Sequence, residues 1–155
     1  PLSRIRAKVL AELRDQLVRK IDLESSFRLI GILASHGSIS EANKQLVEAQ
    51  LTSERRCEVL LDIMACKSNS AYDTFLKALN DTGQQHIVTA LDGVEVKAIV
   101  ETFFRQNLPD VVCTKITDIV RQNLNKLCGF EPDIEGALAD IMEQNGLVLS
   151  DVRAG

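Results

Sequence analysis

The sequence predicts an all-α protein: six helices over the first ninety-odd residues, then a further helical segment. Three observations carry that expectation. Apolar residues recur at three- and four-residue spacing through those first ninety residues, and nothing there alternates as a half-buried strand does. Aromatic residues are only 4% of the chain and Trp is absent, so the core must be built from Leu, Ile, Val and Ala, which suits helix packing. Only three prolines interrupt the 155 residues, and cap-type polar residues stand where one apolar stripe gives way to the next.

The elements follow in order. Ile5, Val9, Leu13, Leu17 and Ile21, with Leu10 beside them, form one stripe of a long first helix. Phe27, Ile30, Leu33 and Ala34 mark a second helix, ended by Gly37 in the left-handed position that glycine tolerates. Ser38-Ile-Ser-Glu41 reads as a capping box opening a third helix whose apolar face is Ile39, Ala42 and Leu46. Thr52 or Ser53 caps a fourth, carrying Cys57, Leu60, Leu61 and Met64. Ser68-Asn-Ser70 breaks it, and Ser70-x-x-Asp73 restarts a fifth with Tyr72, Phe75, Leu76 and Leu79 inward. Thr82-x-x-Gln85 opens a short sixth helix with Ile87, Val88 and Leu91, closed by Asp92-Gly93.

Residues 1–93 are therefore expected to form one domain, and residues 94–155 a helical segment outside it. Val96, Ile99, Val100, Phe103 and Phe104 predict a seventh helix that stops before Pro109. Val112, Ile116, Ile119, Val120, Leu124 and Leu127 predict an eighth that runs to Gly129, and Pro132 opens a ninth with Ile134, Leu138 and Ile141. Asn145-Gly146 ends the ninth. The tail Leu147–Val152 alternates like a strand with no partner in the chain. Either it is helical or frayed, or the natural chain continues and 94–155 begins an incomplete second domain; the second expectation is preferred.

Composition narrows the function classes. A net charge of −4 argues against nucleic-acid binding, and no apolar run reaches membrane-spanning length. The charge is unevenly placed: residues 1–93 hold twelve basic and twelve acidic side chains, and residues 94–155 six and ten. Residues 1–20 hold Arg4, Arg6, Lys8, Arg14, Arg19 and Lys20 against Glu12 and Asp15, so this neutral domain has segregated charge. That suggests a dipolar surface for a complementary one, the plainer alternative being a solvated helix face. Cys57, Cys66, Cys113 and Cys128 show no C-x-x-C pair and no histidine at metal spacing, so reduced thiols, no metal and no cofactor are expected. His36 and His86 are the only histidines, and no nucleophile, base and orienter can be assembled around them. An enzyme is not expected.

Leu60-Leu-Asp-Ile-Met64, a short polar break, and Ala71-Tyr-Asp-Thr-Phe-Leu-Lys-Ala-Leu79 together resemble the fourth and fifth helices of caspase recruitment domains. Thr82-Gly-Gln-Gln-His-Ile-Val88 looks like that family's entry into its sixth helix. The likeness covers residues 1 to about 92, is clear over 57–91, and is greatest to initiator-caspase prodomains and their adaptors. Lys67-Ser-Asn-Ser70 departs from the basic-Gly-Pro turn common in the family.

The resemblance implies a six-helix Greek-key death-fold bundle that works by homotypic binding in the cytoplasm. Its partner would be another caspase recruitment domain, from a caspase prodomain, a scaffold or an adaptor, or a second copy of itself, in an oligomeric apoptotic or innate-immune complex. In such domains a basic patch on the first and fourth helices meets an acidic patch on the second and third. The matching residues are Arg55 and Arg56 with Arg6 and Arg14 on the basic side, and Asp22, Glu24, Glu41 and Glu48 on the acidic side. Arg forks onto a carboxylate where Lys cannot, which favours Arg55 and Arg56. The plainer alternative for these two is pairing with Glu58 or Glu54, or simple solvation. The alternative for the whole is a helical regulatory or scaffolding domain with no death-fold partner.

Overall fold

The computed structural model of the chain describes residues 2–21, 26–104, 107–128 and 134–147, with every side chain among them except those of Ser26, Phe27, Asn125 and Cys128. Asp22, Glu24, Pro132 and the tail from 148 onward therefore lie outside the described residues, as does the side chain of Phe27. Among the described residues there are nine helices and no strand. The chain divides into two compact units, Pro1–Leu91 and Asp92–Gly155.

In the first unit α1 (Arg4–Lys20) packs on α4 (Ser53–Ala65), and α2 (Ser26–Ser35) packs on α5 (Asn69–Asp81). The short α3 (Glu41–Glu48) lies against both α2 and α4. Neighbours in sequence are thus interleaved with partners two or three helices away, which is the pairing a death-fold bundle needs. The core is aliphatic, with Val9, Leu13, Leu17, Leu29, Leu33, Leu60, Met64 and Leu79 all buried around Tyr72 and Phe75. Those two rings meet edge to face, with centroids 6.4 Å apart.

The first turn of α1 is tied to the first turn of α5. The Ser3 hydroxyl caps α1 by accepting from the Arg6 amide, while the Ser3 amide donates to the Asn69 side chain at 3.0 Å. Arg6, expected in an exposed basic patch, is only 1% exposed. Its guanidinium donates to the Asn69 carbonyl at 3.2 Å and to Asp73 at 2.7 Å, and stacks 4.4 Å above the Tyr72 ring. The reason is register. Arg6, Leu10, Leu13 and Leu17 are spaced four, three and four residues apart, so Arg6 continues the buried stripe. Arg6 is a structural residue and is withdrawn from the patch.

Other expectations shift by a turn or less. The α3 capping box is Ser40 with Asn43, not Ser38 with Glu41, and it rotates the helix. Val47 is buried; Ala42 and Leu46 face solvent, Leu46 being 52% exposed. Thr52 caps α4, and the α5 cap is Ser68, so that helix starts at Asn69 and not after Ser70. Leu76 is half-buried, unlike its neighbours Phe75 and Leu79.

The sixth and seventh helices of the sequence reading are one helix, α6 (Gln85–Phe103). A glycine stops a helix by going left-handed, as Gly37 and Gly83 do at φ of 73° and 79°; Gly93 does not. The buried side chains continue across it, from Ile87 and Leu91 to Val96 and Ile99, and that periodicity outweighs the helix penalty of a single glycine, about 1 kcal/mol. In the second unit the expected eighth helix is broken in two, α7 (Asp110–Gln122) and α8 (Leu124–Cys128). Asn123 interrupts it by donating its side-chain amide to the Ile119 carbonyl at 2.7 Å. α8 packs on α9 (Ile134–Gln144), which ends at Gly146 with φ 78°.

Arg6 and Cys57 give two checks on this core. Arg6→Ala removes the charge-assisted hydrogen bonds to Asn69 and Asp73 and a cation–π contact at a buried site, and should destabilise the fold by about 2–4 kcal/mol in urea titration. Arg55→Ala, at an exposed pair, should change stability by under about 1 kcal/mol. Cys57 is fully buried, and burial pushes its thiol up to about 12. The unfolded chain releases that proton nearer its ordinary value, so between about pH 9 and 12 the native state binds more protons and stability falls as pH rises. Denaturation at pH 8.5, 9.5 and 10.5 should show a steeper decline for the wild type than for Cys57→Ala, by up to about 1.4 kcal/mol per pH unit. Parallel declines would place the thiol in water.

Candidate functional site

The first two turns of α4 and the middle of α1 form a charged face. The Thr52 hydroxyl accepts from the Arg55 amide, starting α4 so that Arg55 and Arg56 fall in its first turn on adjacent angles. Arg55 stays exposed and donates to Glu58, three residues on, at 3.0 Å. Arg56 turns back instead. It is half-buried and donates to the Gln50 carbonyl at 2.9 Å, which ties α4 to the end of the α3 connection. The two arginines that the sequence made equivalent therefore have different roles.

Arg14 stands 80° around α1 from Arg6, on the flank of the buried stripe and not within it. It crosses to α4 and pairs with Asp62. Arg14 is 37% exposed and Asp62 58%, so the pair sits at the surface. The hydrogen bond from Arg14 holds the Asp62 carboxyl below the usual carboxylate range, with the charge of Arg55 adding to it. The same bond raises Arg14, helped by Asp62, Glu58 and Asp15 as nearby negative charges. Arg14, Asp62, Arg55 and Glu58 thus alternate in sign over one surface.

Of the acidic candidates, Glu41 is exposed in the first turn of α3 and Glu48 half-buried in its last. Seven residues apart, they share one face of that helix, about 10 Å from end to end. Asp22 and Glu24 lie outside the described residues. Sequence reasoning missed Asp62, whose link to Arg14 spans 48 residues and leaves no local signal. It also missed the exposed apolar positions Leu46 and Leu51, the latter 96% exposed. Leu46 lines a groove of about 480 Å³ between α3 and α4, together with Val59 and Ile63, and Arg55 and Asp62 line it as well.

Nothing in this arrangement activates a nucleophile. Among the described residues no cluster of three or more His, Cys, Asp or Glu could hold a metal ion, and no helix is long and apolar enough to cross a membrane. The face can recognise an opposite arrangement of charge.

No curated protein and no solved structure gives a significant match to the chain. Residues 7–94 match the model of a family described as Caspase recruitment domain, and that stretch is more than half of the 155 residues. Domains of this family are interaction modules and not catalytic ones; they generally bind one another, in apoptotic and inflammatory signalling. With the all-α death-fold bundle of the first unit, the chain belongs to the caspase recruitment domain family.

Proposed function

We propose that the first ninety-odd residues recruit a caspase-type protease, or the scaffold that activates one, by docking the α1–α4 face of this chain onto the acidic α2–α3 surface of another caspase recruitment domain. The observation that carries this reading is the surface placement of Arg14 and Arg55, each in an ion pair of its own, on two helices that are far apart in sequence but packed together. Glu41 and Glu48, on one side of α3, support a complementary surface on the same domain, so that copies could also chain to one another. Activation of the protease would follow from bringing zymogens together. The family match over 7–94 and the division of the chain after Leu91 support a module that ends near residue 93. Residues 94–155 would form a helical segment outside it. Cys57, Cys66 and Cys113 are free thiols, which favours the reducing cytoplasm as its location.

The test uses Arg14 and Arg55, since Arg56 is engaged with Gln50. In titrations against purified caspase prodomains and adaptor caspase recruitment domains, the Arg14→Glu/Arg55→Glu double variant should lose more affinity than the double Ala variant, because attraction becomes repulsion. Raising salt should weaken the wild type and narrow the difference. The melting curve should stay cooperative, since exposed pairs contribute about 1 kcal/mol or less. Equal affinity for wild type and double Glu variant removes the α1–α4 face from the interface; the absence of any binding domain favours the regulatory alternative.

A further inference from the structure

The charged face carries its own acids. Arg14 is engaged by Asp62 from α4, and Arg55 by Glu58 from the same helix. Asp62 differs from Glu58 in what its hydrogen bond joins: Asp62 accepts from Arg14 on another helix, whereas Glu58 accepts from Arg55 three residues away on its own helix. Glu58 and Arg55 are one turn apart and can re-form their pair in any state that keeps α4 intact. The Arg14–Asp62 pair instead joins two helices, and an external carboxylate that takes the Nη1 donor of Arg14 displaces the Asp62 oxygen bound there.

Resting on the binding reading above, we propose that Asp62 is an internal competitor for the α1–α4 face, occupying Arg14 until an acidic partner surface exchanges with it. The pair is surface-exposed on both sides, 37% and 58%, so its net strength is small and the exchange is reversible. Asp62 also sets which partners qualify. A single carboxylate offers no more than Asp62 already supplies at close range. An array that reaches Arg14 and Arg55 together displaces Asp62 and Glu58 in one event, so its contacts reinforce one another as those of a lone acid cannot. The face discriminates between isolated acids and acidic surfaces.

The test is titration of the full chain with a hexaglutamate peptide at low salt, followed by NMR shifts of the α1 and α4 amides. Asp62→Asn keeps the shape and removes the competing charge, and it should bind the peptide about two- to fivefold more tightly than the wild type. The gain should shrink as salt rises, and Arg14→Ala/Arg55→Ala should abolish it. Asp62→Ala repeats the measurement if the amide makes new hydrogen bonds. Equal or weaker binding by both Asp62 variants, or no binding by any form, overturns the assignment. Weaker binding would mean that Asp62 positions Arg14 for the partner. The outcome is separable from that of the domain titration. If Arg14→Glu/Arg55→Glu loses its domain partner while Asp62→Asn is unchanged, the competitor fails and the interface stands. If Asp62→Asn tightens peptide binding while the double Glu variant still binds domains, the reverse holds.

Discussion

A buried arginine lies about two turns along α1 from Arg14, on the helix that carries part of the proposed binding face. Arg6 brings a permanent charge into the aliphatic stripe of α1, and such a group is tolerated only where its donors are met. At the start of α5 the Asn69 carbonyl, the Asp73 carboxylate and the Tyr72 ring converge on it. Asp73 is itself more than half exposed, so the guanidinium reaches from the interior to a solvated counter-ion and escapes much of the desolvation of a fully buried pair. This fixes α1 lengthwise and in rotation. With Arg6 pinned to α5, the rest of the helix lies along α4 and its flank brings Arg14 opposite Asp62.

One residue type therefore serves two purposes on one helix, separated by 80° of rotation. Where the arginine points inward it holds the bundle together and is closed to partners. Where it lies at the margin its ion pair is weak in stability terms, and for that reason can be rearranged without unfolding anything. The α3–α4 groove adds apolar area beside these charges, with Leu46, Val59 and Ile63 lining the same depression as Arg55 and Asp62. In the proposed docking, charge would steer and select while apolar contact held what had been selected.

Much of the fold was legible because the helices are amphipathic and short-range capping dictates where they begin. The α1 stripe, the inward faces of α4 and α5 and the left-handed glycine at Gly37 all follow from spacing alone. Reading Arg6 as exposed came from weighing residue type over register, although its spacing from Leu10, Leu13 and Leu17 marked it as inward. In α3 the cap falls at Ser40 and not Ser38, and the inward residue is Val47 and not Leu46, one position or about 100° of helix away. The Arg14–Asp62 pair was not legible, since only the packing of α1 on α4 brings residues 48 apart together. Arg56 was equally hidden: its bond to the Gln50 carbonyl depends on the path of a loop.

Gly93 stands within a continuous helix, has no left-handed backbone to justify it, and would find no atom within 4 Å of an added Cβ. Glycine at such a position enlarges the unfolded ensemble without gaining anything in the folded one. About 0.5–1 kcal/mol of stability is thus left unused at a point where a methyl group would fit. The chain is accordingly not at its stability optimum, and α6 could be strengthened there without altering a single contact on the charged face.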